Sequence, residues 1–360
     1  MRHRRGRIVE IDTVEDLDRR WVSGVRDLDG WRLRSLDLRG HGDRLARARV
    51  AGAMFLGCDF NEGVEAELEA AGALVFPALP GTPVDAYRSR LYTAEELYGD
   101  GRYTDSLDAR AYAWTEAEPD ADSLLAGTLH DHAVDTALAA WARGRSLVGV
   151  MGGHALHRGE PAYAEAARLG RLLGRDHVVA TGGGPGAMEA ANLGATLSGL
   201  GQDALDETLA VLARVPDYRS DVGAWAGCAF AALAGIADRT ETLGVPTWHY
   251  GHEPPNVCAT VIAKYVRNAV REAVLLQICD SGIVFLPGAA GTVQEVFQDA
   301  CENFYADPGS VAPMVLVGRR YWTETLPVWP LLQVLADDRA MASRVHLVDD
   351  VEEAARVVSA

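Results

Sequence analysis

The chain changes its pattern of apolar and polar positions partway along. Up to about residue 119, short apolar runs break off against turn formers, and residues 7–11, 31–38, 53–58 and 74–79 read as candidate strands. A polar, tyrosine-rich stretch (85–114) follows, and then an acidic segment with one proline (116–122) that reads as a linker or domain edge. From residue 146 the pattern is regular. Apolar runs at 146–151, 177–181, 245–250, 282–286, 314–318 and 345–348 are each followed by helical sequence. Short β-rich runs alternating with helices predict βαβ units, hence an α/β fold with a doubly wound, Rossmann-like parallel sheet and an additional N-terminal α+β region. The expected division is 1–119 for that region and 120–360 for the Rossmann-like domain. No internal repeat or low-complexity tract is visible.

Ligands in such sheets bind at the carboxyl ends of the strands, and two glycine-rich segments fall there. The first is Thr181-Gly-Gly-Gly-Pro-Gly-Ala-Met-Glu189. Glycines let backbone N–H groups approach an anion, and the N-terminus of the following helix adds a favourable dipole. A tight turn alone would not need three consecutive glycines, each costly in conformational entropy. The candidate nucleotide contacts are therefore Gly182, Gly183, Gly184, Gly186, Met188 and Glu189, joined by Gly152 and Gly153 after the run 146–151. The same stretch fits G-x-G-x-x-A through Gly182, Gly184 and Ala187. That dinucleotide fingerprint also requires a strand ending in an acid about 20 residues on. Residues 199–207 are polar and helix-like instead, which counts against an oxidoreductase.

The second segment is Leu286-Pro-Gly-Ala-Ala-Gly-Thr-Val-Gln-Glu295, with Gly288, Ala290, Gly291 and Thr292 as the candidate phosphate cradle. Thr292-x-x-Glu295 is equally a capping box, in which both side chains merely satisfy orphan amides. Capping and catalysis stand as alternatives for Glu295. A third feature is the segment 258–278, expected as one long helix. It is apolar nearly all round except for Lys264, Arg267, Asn268 and Arg271, at i, i+3, i+4 and i+7. That stripe is either a solvated face or a set of substrate contacts, with Arg271 forking onto an anion. The preceding loop, Tyr250-Gly-His-Glu-Pro-Pro-Asn256, adds His252 and Glu253 as candidate contacts. His130 and His132 stand two apart with no third ligand nearby, so no metal site is expected.

Charge narrows the partners. With 34 basic against 51 acidic residues the formal net charge is −17, which repels nucleic-acid backbones and anionic lipid while leaving local anion sites open. The longest uncharged run lies between Asp221 and Asp238; it is too short for a membrane span and reads as a buried helix. The basic start, Met1-Arg-His-Arg-Arg, has no apolar h-region behind it and does not read as a signal peptide. Five scattered cysteines without a CxxC fit reduced thiols and a cytoplasmic location. Lys264 is the single lysine, so any Schiff-base chemistry would depend on it.

Met151-Gly-Gly, Gly182-Gly-Gly-Pro-Gly-Ala-Met-Glu-Ala, the arginine-bearing segment and Pro287-Gly-Ala-Ala-Gly-Thr-x-x-Glu295, in that order, resemble the Lonely Guy family. These are the cytokinin-activating phosphoribohydrolases and their bacterial nucleotide-nucleosidase relatives. The resemblance spans roughly residues 146–358. It implies hydrolysis of a nucleoside 5′-monophosphate to free base and ribose 5-phosphate, with no cofactor and no metal, by a homodimer or larger homo-oligomer; the apolar segment 222–237 is a candidate contact surface. By the same resemblance Gly288, Gly291 and Thr292 hold the 5′-phosphate, Glu295 acts on the ribose and water, and Arg271 positions the nucleotide. Such loops would equally serve a nucleotide sensor without turnover. The chain departs from the family pattern in four places, one of them a spacing from Arg271 to Pro287 about one residue longer. Ala289 replaces a glycine, at a cost of roughly 1 kcal/mol if its φ is positive. Glu272 stands where short members often carry lysine. Residues 1–119 have no counterpart in the short plant enzymes.

Overall fold

The computed structural model describes residues 8–249 and 253–359. The chain divides into two compact units: 1–90 with 117–137, and 91–116 with 138–360.

The first unit holds β1 (Val9–Ile11), β2 (Trp31–Arg34), β3 (Met54–Leu56) and β4 (Leu74–Phe76), paired in that order and all parallel. All four sit inside the expected runs. Their registers reveal a repeat that is not visible in the sequence. Val9 faces Trp31, Arg32 faces Met54 and Met54 faces Leu74, steps of 31 − 9 = 22, 54 − 32 = 22 and 74 − 54 = 20 residues. The turns repeat with the strands: the Gly30 N–H donates to the Gly52 carbonyl, and the Gly52 N–H to that of Gly72. Buried side chains stack at the same period, Ile11 with Leu33 and Phe55, Leu28 with Val50, and Leu36 with Cys58. This is solenoid logic, in which each coil buries its apolar face against the next. The stacked positions accept any apolar residue of suitable size, and the outer segments differ in length, so the identity signal is erased while the spacing survives.

The second unit is a seven-stranded sheet of β5 (Leu147–Met151), β6 (Val178–Thr181), β7 (Thr242–Gly244), β8 (Val261–Ile262), β9 (Ile283–Phe285), β10 (Met314–Val317) and β11 (Val345–Val348). Its order is β11-β10-β9-β5-β6-β7-β8, every pair parallel, with helices in the β5–β6, β6–β7, β8–β9, β9–β10 and β10–β11 connections: a doubly wound, Rossmann-like architecture. The chain runs outward from β5 through β6 and β7 to β8, then returns to β9 on the other side of β5. The switch point therefore lies between β5 and β9, where such folds open a crevice for ligands. Helix Pro161–Leu173 packs closely on helix Ala187–Thr196 because Gly170 has no Cβ; one there would come within 2.0 Å of the Ala191 carbonyl oxygen.

Two expectations fail here. The run expected at 245–250 is strand only upstream of it, at Thr242–Gly244, since Pro246 cannot donate to a ladder. Residues 258–278 are not one helix: Val261–Ile262 is strand and the helix is Asn268–Gln277. A short, fully buried strand and a buried helical turn are both uniformly apolar, and periodicity alone cannot separate them. Among the described residues no helix is long and apolar enough to cross a membrane.

Candidate functional site

Three loops meet at the carboxyl ends of β5, β6 and β9, and Gly153 joins them. Its N–H donates to the Pro287 carbonyl at 3.2 Å, and its carbonyl accepts from the Ala187 N–H at 3.1 Å. Gly152 lies against Ala187 and Leu286, with no room for a side chain. The Gly182–Gly184 turn is held from behind. Gly183, at φ +72, donates to the Thr181 hydroxyl and accepts from the Asn256 N–H at 2.8 Å, while Asn256 Nδ2 donates to the Gly184 carbonyl at 3.1 Å. Asn192 closes this buried network by accepting from Thr181 Oγ1 and from Asn256. The loop is thus rigid before any ligand arrives.

Gly182 has a packing reason to be glycine. A Cβ there would come within 2.2 Å of Arg271 Nη2 and 2.6 Å of Met188 Sδ. Its absence admits the guanidinium, which donates from Nε to the Val245 carbonyl at 2.7 Å and from Nη1 to Glu295 Oε1 at 3.3 Å. Arg271 and Glu295, from helices Asn268–Gln277 and Ala290–Tyr305, therefore come together.

The second helix also decides what Glu295 does. It starts at Ala290 with Ala289 as N-cap and no side-chain cap bond, so Thr292 is its third residue and Glu295 its sixth. The capping box expected as an alternative is not formed. Ala289 has φ −92, so alanine carries no left-handed strain there. Gly288 is required instead by Thr292, whose buried hydroxyl folds back to 2.1 Å from where a Gly288 Cβ would stand. Tyr321 OH donates to the Gly288 carbonyl at 2.8 Å. Ala290, Gly291 and Thr292 supply the first-turn amides, which have no intrahelical acceptor, and the space beside Gly291 is open.

Burial holds the Glu295 carboxyl above the usual carboxylate range; Arg271 pulls it back down, while the nearby charges of Glu272 and Glu253 push it further up. Glu253 also reaches the first loop, with Oε2 3.4 Å from the Cβ position of Gly184 and Oε1 3.0 Å from His154 Nδ1. Asn268 lies one turn before Glu272 and donates to it at 2.6 Å.

Other expected contacts go elsewhere. Lys264 lies ahead of the helix, and its ammonium is taken by Asp108 at 2.6 Å. Asp108 also accepts from Trp248 Nε1 at 2.8 Å and Tyr103 OH at 2.7 Å, and the amine stands over the Trp248 ring. Burial pushes the Lys264 pKa down, with Asp108 opposing. Arg267 is the residue before that helix, so no single stripe carries all four side chains. The Glu189 side chain is fully buried and serves the core, accepting from Arg158 and from Tyr163 OH. His252 lies outside the described residues. Reading the sequence missed His154, directly after Gly152-Gly153; it helps line a shallow cleft with His157, Gly186, Tyr218 and Arg219.

The fold and the three loops define a Rossmann-like α/β protein. No protein-family model matches the chain, and no curated protein does. Solved structures with similar folds include the molybdenum cofactor binding protein from Rippkaea orientalis (16% identity, TM-score 0.38, covering 60% of this chain and 97% of that one). Others are the Moco carrier protein from Chlamydomonas reinhardtii (19%, 0.37, 60% and 96%) and the structural-genomics target TM1055 (19%, 0.38, 59% and 98%). At such identities and scores the likeness concerns fold alone.

Proposed function

We propose that this protein hydrolyses the N-glycosidic bond of a nucleoside 5′-monophosphate. The observation that carries the reading is the Arg271–Glu295 pair, 3.3 Å apart beside the switch-point loops, with Glu295 released from any capping duty. The 5′-phosphate binds the amides of the Gly288–Thr292 cradle, and that binding energy fixes the ribose above the Glu295 carboxylate. As the C1′–N bond breaks, its electron pair leaves with the base, which takes up a proton. Positive charge builds on the ribose; the carboxylate stabilises it, orients the attacking water and takes its proton as the C1′–O bond forms, so the proton lost by water balances the one gained by the base. Arg271 holds the carboxylate on one side and the nucleotide on the other.

The test is a panel of nucleosides and their 5′-monophosphates incubated with the pure protein, read by chromatography for free base and by calorimetry for binding. At least one monophosphate should release its base, and its nucleoside should bind at least tenfold more weakly, a difference of about 1.4 kcal/mol. Tight binding without release makes the protein a nucleotide sensor. Equal binding of nucleoside and monophosphate removes the phosphate cradle.

A further inference from the structure

Glu272 directly follows Arg271 on one helix, and Gln294 directly precedes Glu295 on the other. Arg271 meets Glu295, and Gln294 Nε2 donates to Glu272 Oε2, so the two helices are cross-linked at two consecutive positions on each. Consecutive helical side chains point about 100° apart. One link would leave a helix free to roll, whereas two in different directions fix its rotation. The other Glu272 oxygen, Oε1, accepts from Asn268 Nδ2 at 2.6 Å, and the side chain is buried.

We propose that Glu272 is a positioning residue for Glu295, locking the Arg271 helix to the Glu295 helix through Gln294 while Asn268, on its own helix, holds its other oxygen. The inference rests on the hydrolase reading for its consequence in turnover, but not for its geometry. Both amide partners are neutral, so they hold the Glu272 carboxylate in place without neutralising it. Its negative charge then bears on Glu295 together with that of Glu253 and against that of Arg271. The Cys279 thiol also lies within the field of Glu295. A glutamate salt-linked to arginine alone would hold its proton less tightly. The added charge makes Glu295 hold its proton more tightly than Arg271 alone would allow, which suits a group that must both accept and release one.

The experiment reads the Glu295 carboxyl directly, in ligand-free full-length protein labelled with 13C at glutamate side chains, with Glu295→Gln assigning the resonance. In Glu272→Gln the titration midpoint of Glu295 should fall by about one pH unit, and the acid limb of the pH–rate profile should move with it while KM changes less than twofold. Gln294→Ala keeps the Glu272 charge but releases it from its place, so it should move the midpoint the same way by less; it serves if Glu272→Gln fails to fold. An unmoved midpoint in the folded variants overturns the proposal. A moved midpoint in a protein that hydrolyses no nucleotide supports the positioning role and discards the hydrolase reading instead.

Discussion

Two ion pairs in the same unit, the buried Asp108–Lys264 and the partly buried Arg271–Glu295, draw their cations from one stretch of chain eight residues long, yet they are built differently. The first is saturated. Its carboxylate accepts from an ammonium at 2.6 Å, an indole N–H at 2.8 Å and a phenol at 2.7 Å. A buried charge with both oxygens engaged at short range by three donors fixes a structure and is closed to a ligand. The second is loose. Its contact is 3.3 Å, its arginine is shared with a backbone carbonyl, and two further carboxylates press on Glu295. Carboxylates crowded around one guanidinium oppose stability and favour a site that exchanges protons or partners.

The largest expected effect falls on the loose pair. Glu295→Gln keeps shape and removes the charge and the base; turnover of the best nucleotide should drop on the order of 10²–10⁴ with monophosphate binding retained. With no capping box present, the swap costs no helix cap. Steady-state kinetics within threefold of the parent would show that this pair is as structural as the other. The saturated pair makes the opposite forecast. Lys264→Ala strands Asp108 as a buried, uncompensated charge and should cost about 3–5 kcal/mol in urea unfolding, because the partner left behind keeps its desolvation penalty. The folded fraction should bind nucleotide with unchanged affinity. A lost affinity at intact stability would return Lys264 to the site.

The contrast also marks what was legible in the sequence. Glycine loops announce themselves locally, because a strand, a run of glycines and a helix are adjacent in the chain; the three loops and the parallel sheet were readable for that reason. What the sequence hides is partnership across distance. Lys264 and Arg271 look equivalent on a helical projection, and only Asp108, 156 residues away and in a stretch with no evident chemistry, separates their fates. The Glu272–Gln294 link likewise joins residues 22 apart with no motif between them. The N-terminal repeat escaped notice for a third reason. Its coils conserve position and volume, as Ile11, Leu33 and Phe55 show, rather than residue identity.

A third carboxyl, also buried, sharpens the comparison, because no cation pairs with it among the described residues. Asp299 follows Glu295 by one turn on the same helix; its Oδ1 receives only a long 3.5 Å bond from Asn303, and its Oδ2 has no hydrogen-bond partner among the described residues. Burial, with a smaller push from Glu302, raises its pKa to about 8. The folded protein therefore holds this proton over a range in which the unfolded chain, near 3.8, has released it. In that window the native state binds more protons than the unfolded one, so Asp299 makes stability fall as pH rises from about 4 to about 8, after which its effect levels off. Asp299→Asn cannot ionise and keeps an oxygen for Asn303. The variant should match the parent near pH 4 and gain on it by up to about 1.4 kcal/mol per pH unit above that, or up to about 2.7 kcal/mol between pH 6 and 8. Urea unfolding at pH 5, 6, 7 and 8 reads the divergence. Parallel stability curves across that range would mean that Asp299 is ionised in the fold and has found a donor, as Asp108 has.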